Sequence, residues 1–373
     1  GLGDVYKRQG EKKPLYYTIT RGDIPVHSIE ATYMLTPETG YVKIKSFSET
    51  TYPELLVALA ELNQKGFKNL VIDLRENTGG IMQTAIQMAN IFLPKNRLIL
   101  YTEGRKFPRE EYKSDGRGAF PNLPLTVLVN EGSASASEIV SGALQDWDRA
   151  IIVGRRSFGK GLVQRQYLLP DGSALRLVIA RYHTPSGREI QRPYVKGGDR
   201  TAYRTHSLPD TIPSPAYRTL RTGRTVYGGG GIAPDVCVIQ DTVQASYLNA
   251  LLRKNIFPEF MQHYLDRTRA ALERDYPEFA SFEERFEVPD EMYEELIGLG
   301  LEQGVTPPAE DSDVEAGTRR LLKALLAERL FDREALLRIL HARDDADFIR
   351  ALNLLKNWEA EGLPLLEAQH ERQ

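Results

Sequence analysis

The sequence predicts an α/β fold: a βα core with an added β-hairpin region, followed by a C-terminal α-helical domain. Three observations predict it. Between Gly40 and Gly154, short apolar runs alternate with segments of helical spacing. After Lys160, two β-like runs flank the turn Pro170-Asp171-Gly172-Ser173. From about Ser246 the chain becomes charged, with leucines at helical spacing.

Taken in order, residues Leu15 to Ala31 hold two extended segments, Tyr16–Thr20 and Ile24–Ile29, too short to form a domain. Tyr41–Ile44 alternates like a strand. Leu55, Leu56, Leu59 and Leu62 define a helix over 52–65 that Gly66 ends. Leu70–Leu74 suits a buried parallel strand. Gly79-Gly80 precedes a helix over Met82–Phe92, and Leu98–Tyr101 is strand-like. Residues Glu103 to Asn122 are polar and predict a surface loop. Leu123–Val129 is a strand, Ile139, Val140, Ala143 and Leu144 share one side of a helix, and Ala150–Gly154 is a strand. Leu162–Leu169 and Ala174–Tyr182 form the hairpin. Residues Lys196 to Gly231 are rich in Gly, Pro, Thr and Arg, and Arg319–Leu330 and Arg333–Leu340 are helical.

Length and charge bound the function classes. A chain of 373 residues suggests two or three domains. Hydrophobic content of 41% and charged content of 27% are those of a globular protein. A net charge of -3 argues against a nucleic-acid partner, which needs a basic field. One cysteine, Cys237, excludes an internal disulfide and a zinc site built on several cysteines. No run of 18 apolar residues occurs. The chain opens on Gly1-Leu2-Gly3 without an initiator Met, so a fragment lacking its true N-terminus is expected.

The most informative segment is Asn130-Glu131-Gly132-Ser133-Ala134-Ser135-Ala136-Ser137-Glu138, where a strand turns into a helix. A serine there has an exposed hydroxyl beside the free N–H groups of a helix start, which can stabilise an oxyanion. The same residues also fit a capping box, Ser135-x-x-Glu138, which opens many ordinary helices. Two further glycine-rich turns follow core strands, Arg75–Gly80 and Arg156–Gly161. Loops at the carboxyl ends of parallel strands gather in one crevice, so Gly80, Ser135 and Lys160 are expected to converge.

Lys160 has competing readings. Gly154 to Lys160 has P-loop spacing, but Gly161 stands where the Mg²⁺-binding hydroxyl belongs, and a hairpin follows instead of a helix. A solvated surface lysine is the ordinary fate of the residue type. As a general base its amine must be neutral, which requires a desolvated crevice. Gln164 falls on the same strand face as Lys160 and can orient the amine. Of the six histidines (His27, His183, His206, His263, His341 and His370), His183 directly after a strand keeps a Ser-His-Asp triad conceivable.

The ordered motifs Asp73-Leu74-Arg75-x-Asn77-x-Gly79-Gly80, Gly132–Ile139 and Ser157-Phe158-Gly159-Lys160-Gly161-x-Val163-Gln164 carry a resemblance. So do Leu169–Ser173, Thr184-Pro185-Ser186-Gly187-Arg188-x-Ile190-Gln191 and Gly230-Gly231-Ile232-x-Pro234-Asp235. Over about residues 15 to 240 the chain resembles the tail-specific (C-terminal processing) serine peptidases, which use a Ser-Lys dyad on a ClpP/crotonase-like core. The resemblance implies Ser135 as nucleophile, Lys160 as general base and Gln164 as the group orienting it. It implies the backbone N–H groups of Gly80 and Ala136 as the oxyanion hole, with no cofactor and no metal. His183 becomes a bystander, and the capping-box reading of Ser135 stands alongside the catalytic one.

The implied organisation is a remnant of a truncated PDZ domain with its linker over 1–38, a Ser-Lys peptidase core over 39–240 and a helical domain over 246–373. The implied activity is a serine endopeptidase cleaving proteins near unstructured C-terminal tails. Its partners are then protein or peptide substrates, with homo-oligomerisation through the helical region and membrane association only through an N-terminal part outside this sequence. Its place is a bacterial periplasm or cell envelope. Two other classes remain: a catalytically silent peptide-binding or scaffold protein, and a crotonase-like enzyme acting on acyl thioesters.

Overall fold

Core strands apolar at nearly every position need cover on both faces, and the computed structural model supplies it. The structure describes residues 4–6, 15–18, 20–22, 26–193, 215–239, 242–308, 312–341 and 345–367. A short antiparallel pair, β1 (Asp4–Tyr6) and β2 (Leu15–Tyr17), comes first. Then follow β3 (Ile29–Met34), β4 (Thr39–Ile44), α1 (Thr51–Gln64), β5 (Asn69–Asp73) and α2 (Met82–Phe92). Next are β6 (Leu98–Gly104), β7 (Phe107–Lys113), β8 (Leu125–Val129), α3 (Ala136–Asp146) and β9 (Ile151–Gly154). The hairpin β10 (Leu162–Leu168) and β11 (Ala174–His183) precedes β12 (Ala216–Arg218), β13 (Thr225–Tyr227) and β14 (Val236–Cys237).

The central sheet has six strands in the order β14-β9-β8-β5-β4-β3, parallel except for β3, which runs antiparallel to β4. Helices α1, α2 and α3 cover one face. There Val42, Ile44, Leu70, Ile72, Val127 and Ile152 pack with Leu55, Leu59, Ile86, Ile139 and Leu144. The alternate residues Tyr41, Val71, Leu128, Ile151 and Val153 point to the other face and pack with the C-terminal helices.

Those helices are α4 (Thr242–Arg253), α5 (Ile256–Asp275), α6 (Phe279–Arg285), α7 (Asp290–Glu302), α8 (Ser312–Leu330), α9 (Arg333–His341), α10 (Ala346–Lys356) and α11 (Leu363–Glu367). A π-helical turn, Trp358–Gly362, links the last two. The change from strand to helix falls at Thr242, yet the apolar core runs across it without a break.

A second sheet, β10-β11-β6-β7, is antiparallel throughout. The expectation of a surface loop over Glu103 to Asn122 is corrected here, because Phe107–Lys113 is a strand paired to β6. Its residues are mostly exposed and charged, and Arg109 lies 3.6 Å over the Tyr101 ring. A solvated edge strand of this kind lacks the apolar run by which strands are recognised. Much of the stretch from Lys196 to Gly231 lies outside the described residues, as do His206 and His370.

Candidate active site

The three glycine-rich turns meet at the carboxyl ends of β5, β8 and β9. Backbone bonds join them directly: Ala134 N–H donates to the Asn77 carbonyl (2.9 Å), and Phe158 N–H donates to the Ser133 carbonyl (2.9 Å). Between them lies a cleft of about 560 Å³, lined among others by Gly79, Gly80, Ser135, Lys160, Gln164 and Tyr182.

Three serines compete in the turn, and their surroundings separate them. Ser133 is fully buried and its hydroxyl donates to the Leu74 carbonyl (2.8 Å). Ser137 is equally buried and donates to the Asn77 carbonyl (2.9 Å). Ser135 alone of the three lines the cleft. It caps α3 at φ 55°, ψ -109°, a region that costs a non-glycine residue on the order of 1–3 kcal/mol and is met mainly where function holds it.

The neighbouring glycines explain how the backbone comes so near. A Cβ on Gly79 would lie 2.7 Å from Ser135 Cβ and 2.8 Å from the Ala136 nitrogen. A Cβ on Gly80 would lie 2.0 Å from the Phe47 carbonyl oxygen. Phe47 N–H donates to the Gly79 carbonyl and Ile81 N–H to the Phe47 carbonyl. Gly80's own N–H takes no part in that bridge. Ala136 is the first residue of α3, where backbone N–H groups have no acceptor within the helix.

Glu138 joins the serine turn to the lysine turn. Its fully buried carboxylate accepts four hydrogen bonds: from Ser135 N–H (2.8 Å), Lys160 N–H (2.8 Å), Gly159 N–H (2.7 Å) and the Ser157 hydroxyl (2.6 Å). Burial pushes its pKa up, and the four donors pull against that shift. On the other side, the buried Tyr182 hydroxyl lies 2.6 Å from the Lys160 carbonyl and 3.1 Å from the Ser135 carbonyl. Ser135 and Lys160 are thus tied to each other at both N–H and C=O.

The Thr184 to Gln191 motif braces the same turn. Gly161 N–H donates to Gln191 Oε1 (3.0 Å), and Arg192 N–H donates to the Gly159 carbonyl (2.9 Å). Arg188, almost fully buried, pairs with Asp146 at the end of α3 (2.5 Å).

Lys160 leads into β10, so the turn that has P-loop spacing has no helix behind it. A bulge between Val163 and Gln164 breaks the simple alternation expected from Lys160 onward, and Leu162, Val163 and Gln164 all line the cleft. His183 stacks on Tyr101 (4.6 Å between centroids) and is not among the cleft residues. Sequence reasoning missed two groups. Glu138 was visible only as a helix cap, and its bonds to the lysine turn span 19 to 22 residues. Tyr182 was visible only as a strand residue.

Residues 38–198 match the model of Peptidase family S41. Over these residues the chain is similar to peptidase family S41. A carboxyl-terminal-processing protease of Synechocystis sp. is 38% identical over 186 residues, 49% of this chain and 43% of that protein. A carboxy-terminal-processing protease of Bartonella bacilliformis is 41% identical over 190 residues, again 49% and 43%. A solved structure of a photosystem II D1 C-terminal processing protease aligns at 27% identity and TM-score 0.44, covering 62% of this chain and 53% of that one. The chain thus spans less than half the length of the two curated relatives. Residues 247–332 match a family of unknown function (DUF8443). The relatives include bacterial and chloroplast proteins. No described helix is long and apolar enough to cross a membrane.

Proposed function

We propose that this chain is a serine endopeptidase that cleaves protein substrates near unstructured C-terminal tails through a Ser135-Lys160 dyad. The observation that carries the reading is the single cleft lined by Ser135, Lys160, Gln164 and Gly80, with Ser135 and Lys160 bridged by Glu138 and Tyr182. The Lys160 amine takes the Ser135 proton as Oγ attacks the scissile carbonyl. The resulting oxyanion is held by the N–H groups of Gly80 and Ala136. Lys160 then gives the proton to the leaving amine, and water attacks the acyl-enzyme to release the new C-terminus and restore the serine. Gln164 orients the lysine amine.

Among the described residues strand β10 is an edge of its sheet, and Leu162, Val163, Gln164 and Gln166 border the cleft. An extended tail can pair with such an edge and lay its carbonyl beside Ser135. An unfolded tail supplies that conformation, whereas a folded segment does not. We place the protein in a bacterial cell envelope, in keeping with the resemblance, and count β3 (Ile29–Met34), which pairs with β4, with the peptidase core.

The test is labelling with a fluorophosphonate probe, comparing the wild type with Ser135→Ala and Lys160→Ala. Loss of labelling in both variants, with circular dichroism unchanged, is expected. Labelling that persists in folded Lys160→Ala sinks the dyad. No labelling of the folded wild type favours a silent binding protein.

A further inference from the structure

We infer that helix α10 of the C-terminal region is part of the working site: its Asp347, aided by Asp345, clamps the three turns that carry Gly80, Ser135 and Lys160. The inference rests on the dyad reading above and assigns a role to a region outside the peptidase family match.

Two of the turns meet α10 through an arginine, and the serine turn meets it through one of these. Arg75 begins the turn that ends at Gly80. Its Nε and Nη2 grip Asp73 (3.1 and 2.7 Å), while Nη1 reaches Asp345 Oδ1 at 2.7 Å and Asp347 Oδ2 at 3.4 Å. Arg155 directly precedes the turn that carries Lys160. Its Nη1 lies 3.0 Å from both Asp347 oxygens. The Nε of Arg155 lies 3.1 Å from Glu131, which stands four residues before Ser135. Asp347 thereby joins the glycine turn to the lysine turn directly, and reaches the serine turn through Arg155.

The base of the network is buried and hydrogen-bonded. Lys43 Nζ donates to Asp73 Oδ1 (3.1 Å) and to the Arg75 carbonyl (2.6 Å), and the Tyr41 hydroxyl donates to Asp73 Oδ2 (2.9 Å). The Asp347 side chain is 5% exposed and that of Asp73 1%. Helix α10 itself packs across β5, β8 and β9, the three strands from which the turns spring.

Docking alone does not call for this arrangement. Apolar contacts hold a helix to a sheet as well as or better than buried ion pairs, which gain little net stability. Forked guanidinium–carboxylate bonds do fix direction and distance. A clamp on three turns sets their mutual placement, on which attack geometry depends steeply. Asp347 is on this view a positioning residue, because it touches none of the reacting atoms.

The experiment uses the full chain and measures the fluorophosphonate labelling rate, together with kcat and KM on casein as a generic unfolded substrate. Asp347→Asn is nearly isosteric and spares Asp345, which also caps α10 by accepting from Phe348 N–H. Asp347→Asn and Arg155→Gln are each expected to slow labelling and lower kcat by about tenfold or more with KM little changed. The double variant should lose no more than either single one. Leu322→Ala, deep among the C-terminal helices, should lower Tm and leave kcat at the wild-type value. If Asp347→Asn labels at the wild-type rate, or if it loses only Tm, the clamp is overturned. Should Asp347→Asn fail to fold, Arg155→Gln decides by the same criteria. A wild type that does not label overturns the dyad reading and the clamp with it, whereas a labelled wild type with undiminished variants overturns the clamp alone.

Discussion

His341 shows how a single residue gains a property its sequence neighbours do not specify. It is 5% exposed, stacked on Phe348 (4.5 Å) and edge-on to Tyr41 (4.9 Å). The Tyr33 hydroxyl lies 2.8 Å from Nδ1, and Asp345 lies 3.5 Å from Nε2. Burial pushes its pKa from 6.5 down to about 4; Asp345 and Asp73 oppose the shift, while Arg75 and Lys43 reinforce it. The unfolded chain therefore binds a proton between these values that the folded chain refuses. Stability is complete above about pH 6.5 and falls by about 3 kcal/mol as the pH drops towards 4. Asp73 and Asp345, held low in pKa by Arg75 despite burial, extend the loss at still lower pH. His341→Gln should flatten the decline of Tm between pH 7 and 4.5, read by calorimetry; an unchanged slope would show that another group governs it.

At the scale of the element, α3 is buried along its whole length, and its first turn does more than start a helix. Its apolar side packs on the sheet, and Glu138 three residues past the cap answers the helix's own need for an N-terminal acceptor. The same carboxylate holds the lysine turn, so one side chain serves helix start and site geometry at once. Glu138→Gln places an amide NH₂ against backbone donors and leaves some unsatisfied, at a cost of about 1–3 kcal/mol. We expect a Tm lowered accordingly and a labelling rate reduced about tenfold or more, because the loosened pair is Ser135 and Lys160. Full labelling in a destabilised Glu138→Gln would confine the residue to capping.

At the scale of the whole molecule, the peptidase region and the helical region share one hydrophobic core. Tyr41, Val71, Leu128, Ile151 and Val153 on the sheet are covered by residues such as Ile256, Phe260, Leu326, Leu336 and Phe348. A chain ending at residue 241 uncovers this face, a contiguous apolar patch of the kind that drives association. It should elute as aggregates in size-exclusion chromatography instead of as a monomer. A monomeric, folded product would mean that the helices are an independent unit.

Much of this was legible from the sequence. The alternation of apolar runs and helical spacing located the core strands and helices to within a few residues, because burial of a strand or a helix face imposes a period on the side chains themselves. The serine turn and Lys160 stood out because glycines and hydroxyls at strand ends serve close backbone approach. The charged strand Phe107–Lys113 did not stand out, since a solvated edge leaves no apolar period. Nor could spacing reveal which of Ser133, Ser135 and Ser137 lines the cleft; that depends on where each hydroxyl points once the turns have met. The four donors on Glu138 and the joining of Arg75 and Arg155 by Asp347 were likewise decided only by tertiary structure. Local pattern records what each segment buries, but hydrogen bonds and ion pairs between segments 19 to 272 residues apart depend on how the chain folds back on itself.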